Sequence, residues 1–369
     1  MMSRKLPEVC EIQYGFPFDS SLFSAEGDLP LIRIRDVVRG YTETYTSEKC
    51  DIAYLVHEGD ILVGMDGVFN VAKWKGEPAY LNQRVCRIIP NETIDADFLF
   101  YFIPTALKKI ENETAFVTVK HLKAKQLNAV VVPDVPIEEQ KKIAAQLNAI
   151  TRLISIRQRQ AEKLDELVKA RFVEMFGECK YGGNPLSNVC KLITDGTHQP
   201  PQFVDAGIPF LLVSNLVHNE ITYDTEKFIS KESYQELIKR TPVEIGDILL
   251  SIVGSYGHAG VVRTDKPFCF QRHIAYIKPD FSKLNSEFLH QALLSDAVKY
   301  QMEKRVKGIA QKTLNLSELK KIVVPIPPLA LQTEFSHFVH EVDREKERIQ
   351  RSAALLETLK RSLMQQYFG

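Results

Sequence analysis

Two long segments of the chain place apolar residues at alternating spacings of four and three. They span residues 137–175 and 329–366, and neither contains Pro or Gly. In the first segment the regularly spaced apolar residues are Ile143, Leu147, Ile150, Ile154, Ala161, Leu164 and Val168. This spacing is typical of a coiled-coil seam. The pattern predicts two long helices, each about 55 Å in length at roughly 1.5 Å per residue.

The second segment carries a matching seam that includes lysines. Its positions are Phe335, Val339, Val342, Lys346, Ile349, Ala353, Leu356, Lys360 and Leu363. Lys346 replaces Ile154 of the first seam, whereas Ile349 replaces Arg157. A charged seam residue restricts which partner and register fit. We therefore predict that the two helices pair with each other, antiparallel and with an approximate two-fold axis. The alternative is two independent amphipathic helices, each lying on its own domain.

The segments ahead of the long helices have a different pattern. Short apolar runs such as residues 31–34 and 248–252 are broken by glycines, which is typical of strands. Helical periodicity follows in residues 96–110 and 286–306. The pattern predicts an α+β class, with a mixed domain ahead of each long helix.

The two halves of the chain repeat one another in a fixed order. The matches are Leu6, Val9 and Cys10 with Leu186, Val189 and Cys190, Gly59-Asp60 with Gly246-Asp247, Gln83-Arg84 with Gln271-Arg272, Pro133 with Pro325, and Gln140 with Gln332. An ordered series of this kind indicates an internal duplication. We predict a first domain at residues 1–136, a helix at 137–177, a second domain at 178–328 and a helix at 329–369.

Composition restricts the function classes only weakly. The chain has 369 residues, with 47 Lys+Arg and 47 Asp+Glu, so a DNA-binding role would need its positive charge collected on one face. The six cysteines lack a C-x-x-C pair and indicate reduced structural thiols. There is no apolar signal segment and no apolar run of about 20 residues, so we expect a cytoplasmic protein without membrane contact.

Sequence motifs for catalysis are missing. We find no phosphate-binding loop, dinucleotide fingerprint, zinc-protease motif or nucleophile elbow. Residues 195–198 (Asp-Gly-Thr-His) could place a histidine beside a carboxylate, but the matching residues 14–17 (Tyr-Gly-Phe-Pro) contain no histidine. We interpret this segment as a structural turn, and we predict no catalytic and no metal-binding residues.

Several segments, taken in order, resemble a known family. In the second half they are residues 195–201, 207–211, 246–249 and 271–272; in the first half they are 14–20, 29–33 and 59–60. Each half continues through Val-Val-Pro, a further proline and a glutamine into its long helix. This arrangement is similar to the target-recognition domains and central region of the specificity subunits of type I restriction–modification systems. The resemblance covers essentially the whole chain.

The resemblance implies a non-catalytic subunit that recognises a split sequence in double-stranded DNA. Each half would contact one half-site, and the helices would set the spacer between them. Two methyltransferase subunits and two restriction/translocase subunits would be the partners. S-adenosylmethionine, ATP and magnesium would belong to those partners, and this chain itself would bind no cofactor.

Three alternatives stay open at this point. The chain could be the recognition subunit of a related bipartite-site enzyme of the type IIB or IIG kind, which cuts on both sides of its site. It could be a stand-alone nuclease or methyltransferase, against which the missing motifs count. It could also be a coiled-coil scaffold without DNA specificity.

Candidate DNA-binding residues come from three kinds of segment. Glycine-rich loops at residues 64–70 and 254–258 allow the backbone to approach DNA closely. Gln-Arg pairs suit adenine and guanine edges, and residues 120–121 and 312–313 suit phosphate or groove-edge contacts. The candidates are Gly67, Asn70, Lys73, Gln83, Arg84, Lys120, His121, His198, Ser255, Tyr256, His258, Gln271, Arg272, Lys312 and Thr313. The alternative for the repeated Gln-Arg pair is a structural role.

Basic residues on the long helices are candidates for binding the methyltransferase subunits. They are Arg152, Arg159, Lys163, Lys169, Arg344, Arg348 and Arg351. The motive is a helix pair with far more surface than two small domains need. The alternative is a charged face that only contacts solvent.

Overall fold

The computed structural model describes residues 4–113, 120–177, 181–217, 219–308 and 312–369. Two helices are much longer than the others and span Ile137–Phe176 and Leu329–Phe368. Each begins directly after a proline, which is tolerated at a helix start but not in a helix interior. Among the described residues, no helix combines the length and the apolar character needed to cross a membrane.

The chain divides into two compact units within these helices. The first unit comprises Met1–Gln158 and Arg351–Gly369, and the second comprises Arg159–Gln350. Each unit therefore contains one mixed domain, the beginning of one long helix and the end of the other. The domain limits at residues 136, 177 and 328 stay a prediction.

The first domain contains two main sheets and short helices. The larger sheet has antiparallel strands in the order Cys10–Tyr14, Val85–Pro90, Ile61–Gly64 and Val71–Lys73. The other sheet has the order Phe23–Ser24, Tyr45–Thr46, Leu29–Ile32, Ala79–Leu81 and Leu55–Val56, and Arg4–Lys5 pairs with Val131–Val132. The helices are Leu6–Val9, Ile34–Arg39, Ala96–Glu113 and Ala124–Asn128, with 3-10 turns at Ser20–Leu22 and Ile52–Tyr54.

The second domain repeats this arrangement. Its antiparallel sheet has the order Cys190–Asp195, Ile274–Pro279, Ile248–Ser251 and Ala259–Val261. A second sheet has the order Phe203–Val204, Phe228–Ile229, Ile208–Leu211 and Cys269–Phe270; Gly183–Pro185 pairs with Val323–Pro325, and Leu216–Val217 with Glu220–Ile221. The helices are Leu186–Val189, Lys231–Leu237, Ser286–Leu294, Asp296–Glu303 and Leu316–Leu319, with a 3-10 turn at Val213–Asn215. The matching strand order confirms the predicted α+β duplication.

The last residues of each long helix complete the core of the domain encoded by the other half of the chain. Phe368, at the end of the second long helix, packs on Phe98 of the first domain with ring centroids 5.2 Å apart. Phe176, at the end of the first long helix, packs on Phe288 and Phe335 in the second unit at 4.8 and 5.5 Å. Burial of aromatic rings dominates core energetics, so each domain depends on both helices.

Ion pairs within the second unit show how the long helices pair. Lys346 Nζ lies 2.8 Å from Asp165 Oδ1, and Arg171 Nη2 lies 3.3 Å from Glu334 Oε1. A residue earlier on one helix contacts a residue later on the other, so the helices are antiparallel. Burial is the largest single influence and lowers the pKa of Lys346, but the hydrogen bond to Asp165 and the charges of Asp165, Glu220 and Asp343 together raise this pKa above its ordinary value. The predicted pairing is confirmed, and the alternative of independent helices is wrong.

A buried glutamine joins each domain to the start of its long helix. Gln140 Oε1 accepts the N–H of Asp95 at 2.8 Å, and its Nε2 donates to the carbonyl of Val135 at 2.7 Å. Gln332 makes the same two kinds of bond at 2.8 and 2.8 Å. Neither glutamine is exposed. The repeated glutamine is therefore structural.

The repeated Gly-Asp pair makes one turn twice. Gly59 and Gly246 have φ of +91° and +93°, a conformation that glycine adopts without steric cost. Asp60 and Asp247 each accept the backbone N–H of the residue three positions earlier, at 2.9 and 2.8 Å. This turn leads directly into the strand ahead of each glycine-rich loop.

Two local predictions are wrong. Residues 286–306 form two helices rather than one, because Ser295 is extended (φ −66°, ψ 149°) and its side chain caps the second helix. Ile34 begins a helix instead of ending a strand, because Asp36 accepts the N–H of Arg33 at 2.9 Å and caps that helix.

Candidate nucleic-acid interface

Three separate segments of the first domain meet at the loop after strand Ile61–Gly64. The N–H of Met65 donates to the carbonyl of Arg84 at 3.0 Å, and the N–H of Gly67 donates to the carbonyl of Lys120 at 2.9 Å. Gly67 is exposed with φ +71°, and a Cβ there would find no atom within 4 Å. The backbone thus joins the glycine-rich loop, the Gln-Arg turn and the Lys-His segment.

A carboxylate at this junction contacts two side chains, an arginine and a histidine. His121 Nδ1 lies 2.6 Å from Asp66 Oδ1, and Arg84 Nη1 lies 3.4 Å from Asp66 Oδ2. Gln83 is exposed beside Arg84, while Lys120 Nζ turns back to donate to the carbonyl of Glu111 at 2.9 Å. Asp66 was not among the candidate residues, although its position inside the glycine-rich loop at residues 64–70 could have indicated it.

Two candidates of the first domain have structural partners instead. Lys73 Nζ forms an ion pair with Asp97, which also accepts a hydrogen bond from Asn148 on the long helix at 2.5 Å. Lys73 therefore links the domain to the helix. The carbonyl of Asn70 accepts the N–H of Gly64 at 2.8 Å and closes the loop.

The second domain assembles the same three segments with different side chains. The N–H of Gly254 donates to the carbonyl of Lys312 at 2.9 Å, and Thr313 pairs with Val253 in an antiparallel bridge. Within the loop, Ser255 Oγ and His258 Nε2 lie 3.1 Å apart. Lys312 Nζ also lies 6.0 Å from the centroid of the Tyr256 ring. The loop candidates of the second domain are thus close together.

The two Gln-Arg pairs do not occupy equivalent positions. The N–H of Arg272 donates to Thr197 at 3.0 Å, as the N–H of Gln83 donates to Phe16 at 3.0 Å, so Arg272 corresponds to Gln83. The second domain therefore has one more inserted residue ahead of this turn than the alignment of the two Gln-Arg pairs implies. The counterpart of Arg84 is His273, whose pKa is lowered by burial and by the charge of Arg272.

The turn at Asp195 holds a cluster that is specific to the second domain. Asp195 is buried, and its carboxylate lies 3.0 Å from His198 Nε2 and also accepts a hydrogen bond from Arg240. A pocket of about 410 Å³ lies beside this cluster and includes Gln199 in its lining. The structural turn is present, since a Cβ on Gly196 would lie 2.2 Å from a backbone carbonyl oxygen. Nothing in the local sequence pointed to Arg240, which lies far along the chain.

Comparison with known proteins shows to which family the chain belongs. A family model described as the type I restriction modification DNA specificity domain matches residues 1–166 and 188–357. The chain belongs to the type I specificity-subunit family. It is 31% identical to the type I restriction enzyme EcoBI specificity subunit of Escherichia coli, over 98% of this chain and 84% of that protein. It is 23% identical to the MjaVIII specificity subunit of Methanocaldococcus jannaschii, over 81% of this chain and 77% of that protein.

Solved structures of the family share the fold. The S subunit from M. genitalium is similar over 100% of this chain and 96% of that chain, with a TM-score of 0.56 and 15% identity. A structure from work on assembly and conformational transition of the type I restriction–modification system has a TM-score of 0.58 and 17% identity, over 100% and 97% of the two chains.

The long helices of this specificity subunit expose both basic and apolar residues. Lys163 pairs with Glu166 at 2.6 Å and Arg348 with Glu345 at 3.3 Å, each within one helix. The other basic candidates on these helices, Arg152, Arg159, Lys169, Arg344 and Arg351, are exposed. The candidates did not include five exposed leucines of these helices, Leu153, Leu167, Leu329, Leu355 and Leu359.

The five thiols within the described ranges are not activated. Burial raises the pKa of Cys10, Cys86, Cys190 and Cys269 to about 12, which keeps them protonated. Cys179 lies outside the described residues. Within the described ranges, no group of three His, Cys, Asp or Glu side chains is arranged to hold a metal ion.

Proposed function

We propose that each domain of this specificity subunit contacts one half of a bipartite site in double-stranded DNA. The observation that carries the proposal is the meeting of three backbone segments around an exposed glycine, which occurs in both domains. Gln83 and Arg84 are exposed at this junction in the first domain, and Arg272 and Lys312 in the second. Glutamine and arginine can bond base edges, and lysine binds phosphate.

Methylation profiling of the host genome tests the two-domain recognition. A chimaera takes residues 1–136 from another specificity subunit, and a matched chimaera replaces residues 178–328. Each exchange is expected to change one half-site while the other half-site and the spacer stay the same. An exchange that alters both half-sites would contradict the proposal.

The long helices are proposed to set the unread spacer between the half-sites. Inserting four residues after both Ala161 and Ala353 adds about one turn, or roughly 6 Å, to each helix. A four-residue insertion disturbs a seam only locally, so the subunit should still fold. The spacer should grow by roughly one or two base pairs at about 3.4 Å each. An insertion that instead changes the bases recognised contradicts this role.

The assembly is proposed to contain two methyltransferase and two restriction/translocase subunits around one copy of this chain. Catalysis, S-adenosylmethionine, ATP and magnesium are assigned to those partners, and this chain is proposed to be non-catalytic. A cytoplasmic location stays a prediction. Native mass spectrometry of the purified complex measures the stoichiometry directly, and equilibrium dialysis of the isolated chain against S-adenosylmethionine should detect no binding.

The exposed leucines are proposed to lie in the methyltransferase interface. Leu355 and Leu359 are 71% and 47% exposed and lie one turn apart on the second long helix. Apolar side chains suit the buried core of an interface, from which charged residues are depleted. The double change Leu355→Glu with Leu359→Glu should abolish co-purification with the methyltransferase. The exposed neighbour Glu357→Lys is the control and should retain it; equal behaviour of the two variants would rule out the leucines.

The same experiments separate the alternatives. Cleavage on both sides of the recognised site would favour a related bipartite-site enzyme. Binding of S-adenosylmethionine by the isolated chain would favour a stand-alone enzyme. A complex without any sequence preference would favour a scaffold.

A further inference from the structure

The first domain fixes one arginine on its exposed loop surface. Asp66 holds Arg84 Nη1 at 3.4 Å and His121 Nδ1 at 2.6 Å, on different carboxylate oxygens. Asp66 is in turn fixed by an antiparallel bridge with His121 and by the adjoining loop hydrogen bonds. The Arg84 side chain is 57% exposed. Its guanidinium thus has an ion-pair partner on one side and remains accessible on the other.

The second domain fixes one arginine in the same manner. Asp195, whose side chain is 11% exposed, accepts from Arg240 Nη2 and lies 3.0 Å from His198 Nε2. The Arg240 side chain is 50% exposed, and its Nη1 and Nε donate to nothing in the part of the chain that the structure describes. Nη1 and Nε are therefore free to donate to a ligand, each next to an N–H of Nη2 along one edge of the guanidinium.

The two clusters are built at different places in the repeated fold. The backbone bonds place Val253, His273 and Thr313 where the first domain has Asp66, Arg84 and His121. Conversely, Asp195 and His198 take the places of Tyr14 and Pro17. Arg240 follows helix Lys231–Leu237, in a segment where the first domain has the 3-10 turn Ile52–Tyr54 and the short strand Leu55–Val56 instead. If the two clusters were inherited from the duplicated ancestor, they would occupy equivalent positions. Each domain instead has its cluster at a position where the other domain has none.

We propose that Arg84 and Arg240 each recognise a guanine in the half-site of their own domain, and that Asp66 and Asp195 are positioning residues. This inference rests on the proposed function. An arginine presents five N–H donors in a rigid fork, two of which can bond guanine O6 and N7. A carboxylate is repelled by DNA phosphates, so its presence beside the arginine needs a reason. Fixing a long side chain in advance lowers the entropy lost on binding and supplies that reason.

The repeated Arg272 has a different role in this scheme. It lies on the adjoining turn, is exposed, and its side chain has no partner among the described residues. An exposed cation without a fixed orientation partner suits a phosphate contact, which strengthens binding to every sequence alike. Arg272 is therefore the matched control for Arg240.

The experiment uses the complete complex with its methyltransferase and restriction partners. Methylated sites of the host genome first define the site of the wild-type chain. Binding of the complex is then measured on the cognate duplex and on duplexes with one base pair changed, at one fixed salt concentration. The variants are Arg240→Ala, Arg240→Lys, Asp195→Asn, Arg84→Ala and Arg272→Ala.

Arg240→Ala should lose roughly 5- to 150-fold of discrimination at one G·C pair of one half-site, with the other half-site unchanged. Arg84→Ala should do the same in the other half-site. Asp195→Asn should relax the same base pair as Arg240→Ala, a shift that a merely structural role would not produce. Arg272→Ala should weaken binding to all duplexes by one common factor.

Three results overturn the inference. The first is a uniform loss in Arg240→Ala, and the second is relaxation of a base pair by Arg272→Ala with none by Arg240→Ala. The third is unchanged discrimination in Arg240→Lys, which keeps the charge but not the fork and replaces the alanine variant if that one does not fold. A wild-type complex without any bipartite preference would instead refute the proposed function itself.

Discussion

The two domains share their scaffold but not the chemistry of their exposed loops. Strand order, the Gly-Asp turn and the buried glutamine are the same in both. The cluster of Asp66, Arg84 and His121 has no charged carboxylate counterpart in the second domain, where Val253 stands at the first position. In a duplicated chain, the repeated residues are thus mainly those that fold the domain. The residues that differ are the better candidates for specificity.

The largest expected effect is a loss of stability in both domains, caused by substitutions at two equivalent glycines. A Cβ on Gly15 would lie 2.0 Å from the carbonyl oxygen of Asn82, and one on Gly196 would lie 2.2 Å from that of Phe270. Gly15→Ala and Gly196→Ala should each lower the free energy of unfolding by about 3 kcal/mol or more, since backbone must move. Hydrogen exchange resolved for each unit measures this loss. The control Gly67→Ala meets no atom and should cost only the 1–2 kcal/mol (approximately) of its positive φ.

The next effect concerns the helix junction. Gln140→Leu and Gln332→Leu each leave buried backbone groups without a partner, and each should cost about 2–4 kcal/mol in the unit concerned. Urea unfolding, monitored by hydrogen exchange in each unit, measures both losses of stability. Gln366→Leu, at an exposed position of the long helix, should change little. Strongly unequal losses at the two buried glutamines would show that the scaffolds differ after all.

A pH effect should separate the two units. His290 Nε2 donates to the carbonyls of Ala259 and Asn219 at 2.9 and 3.1 Å, and burial lowers its pKa below the ordinary 6.5. Phe100 is its first-domain counterpart. The stability that the neutral ring contributes is present above pH 6.5 and is lost as pH falls below it, by at most about 1.4 kcal/mol per pH unit. The free energy of unfolding of the second unit should therefore decrease as the pH falls below 6.5, and His290→Phe should remove this pH dependence. A first unit that responds equally at the same pH would argue against His290 as the cause.

The smallest expected effect on stability is at the loop cluster. Asp66→Val with His121→Thr installs the residues of the second domain in the first. Exposed ion pairs contribute about 0–1 kcal/mol, so thermal unfolding of the first unit should change by less than about 1 kcal/mol. The same variant should lose base discrimination in one half-site. A large loss of stability would assign the cluster to the scaffold.

Much of the fold followed from sequence because its signals are local. The long helices observed, Ile137–Phe176 and Leu329–Phe368, begin at the predicted residues and end one residue before the predicted limits of 177 and 369, since proline marks each start and nothing breaks the interior. Ser295 was missed because serine is tolerated inside helices as well as at caps. Its role depends on a hydrogen bond to the N–H of Val298 that periodicity does not reveal.

The sequence predicted the segments of the site but not how they come together. The loop around Gly67 and the segment at Lys120 were each predicted separately, and the fold brings them together although they lie far apart along the chain. Arg240 was missed because its partner Asp195 lies in another element, and only folding joins them. Arg272 was matched to the wrong residue because identical letters hid a one-residue shift.

Because each unit contains the end of the other half's long helix, the two domain cores can be completed only at different times during synthesis. The first domain is translated early, yet Phe98 waits for Phe368, which is made after the whole of the second domain. The second domain finds Phe176 already made. At about 5–20 residues per second, the delay for the first domain is on the order of 10 s or more. During that time its unfinished apolar face is open to wrong partners on the ribosome, whereas the later domain can close as soon as it emerges.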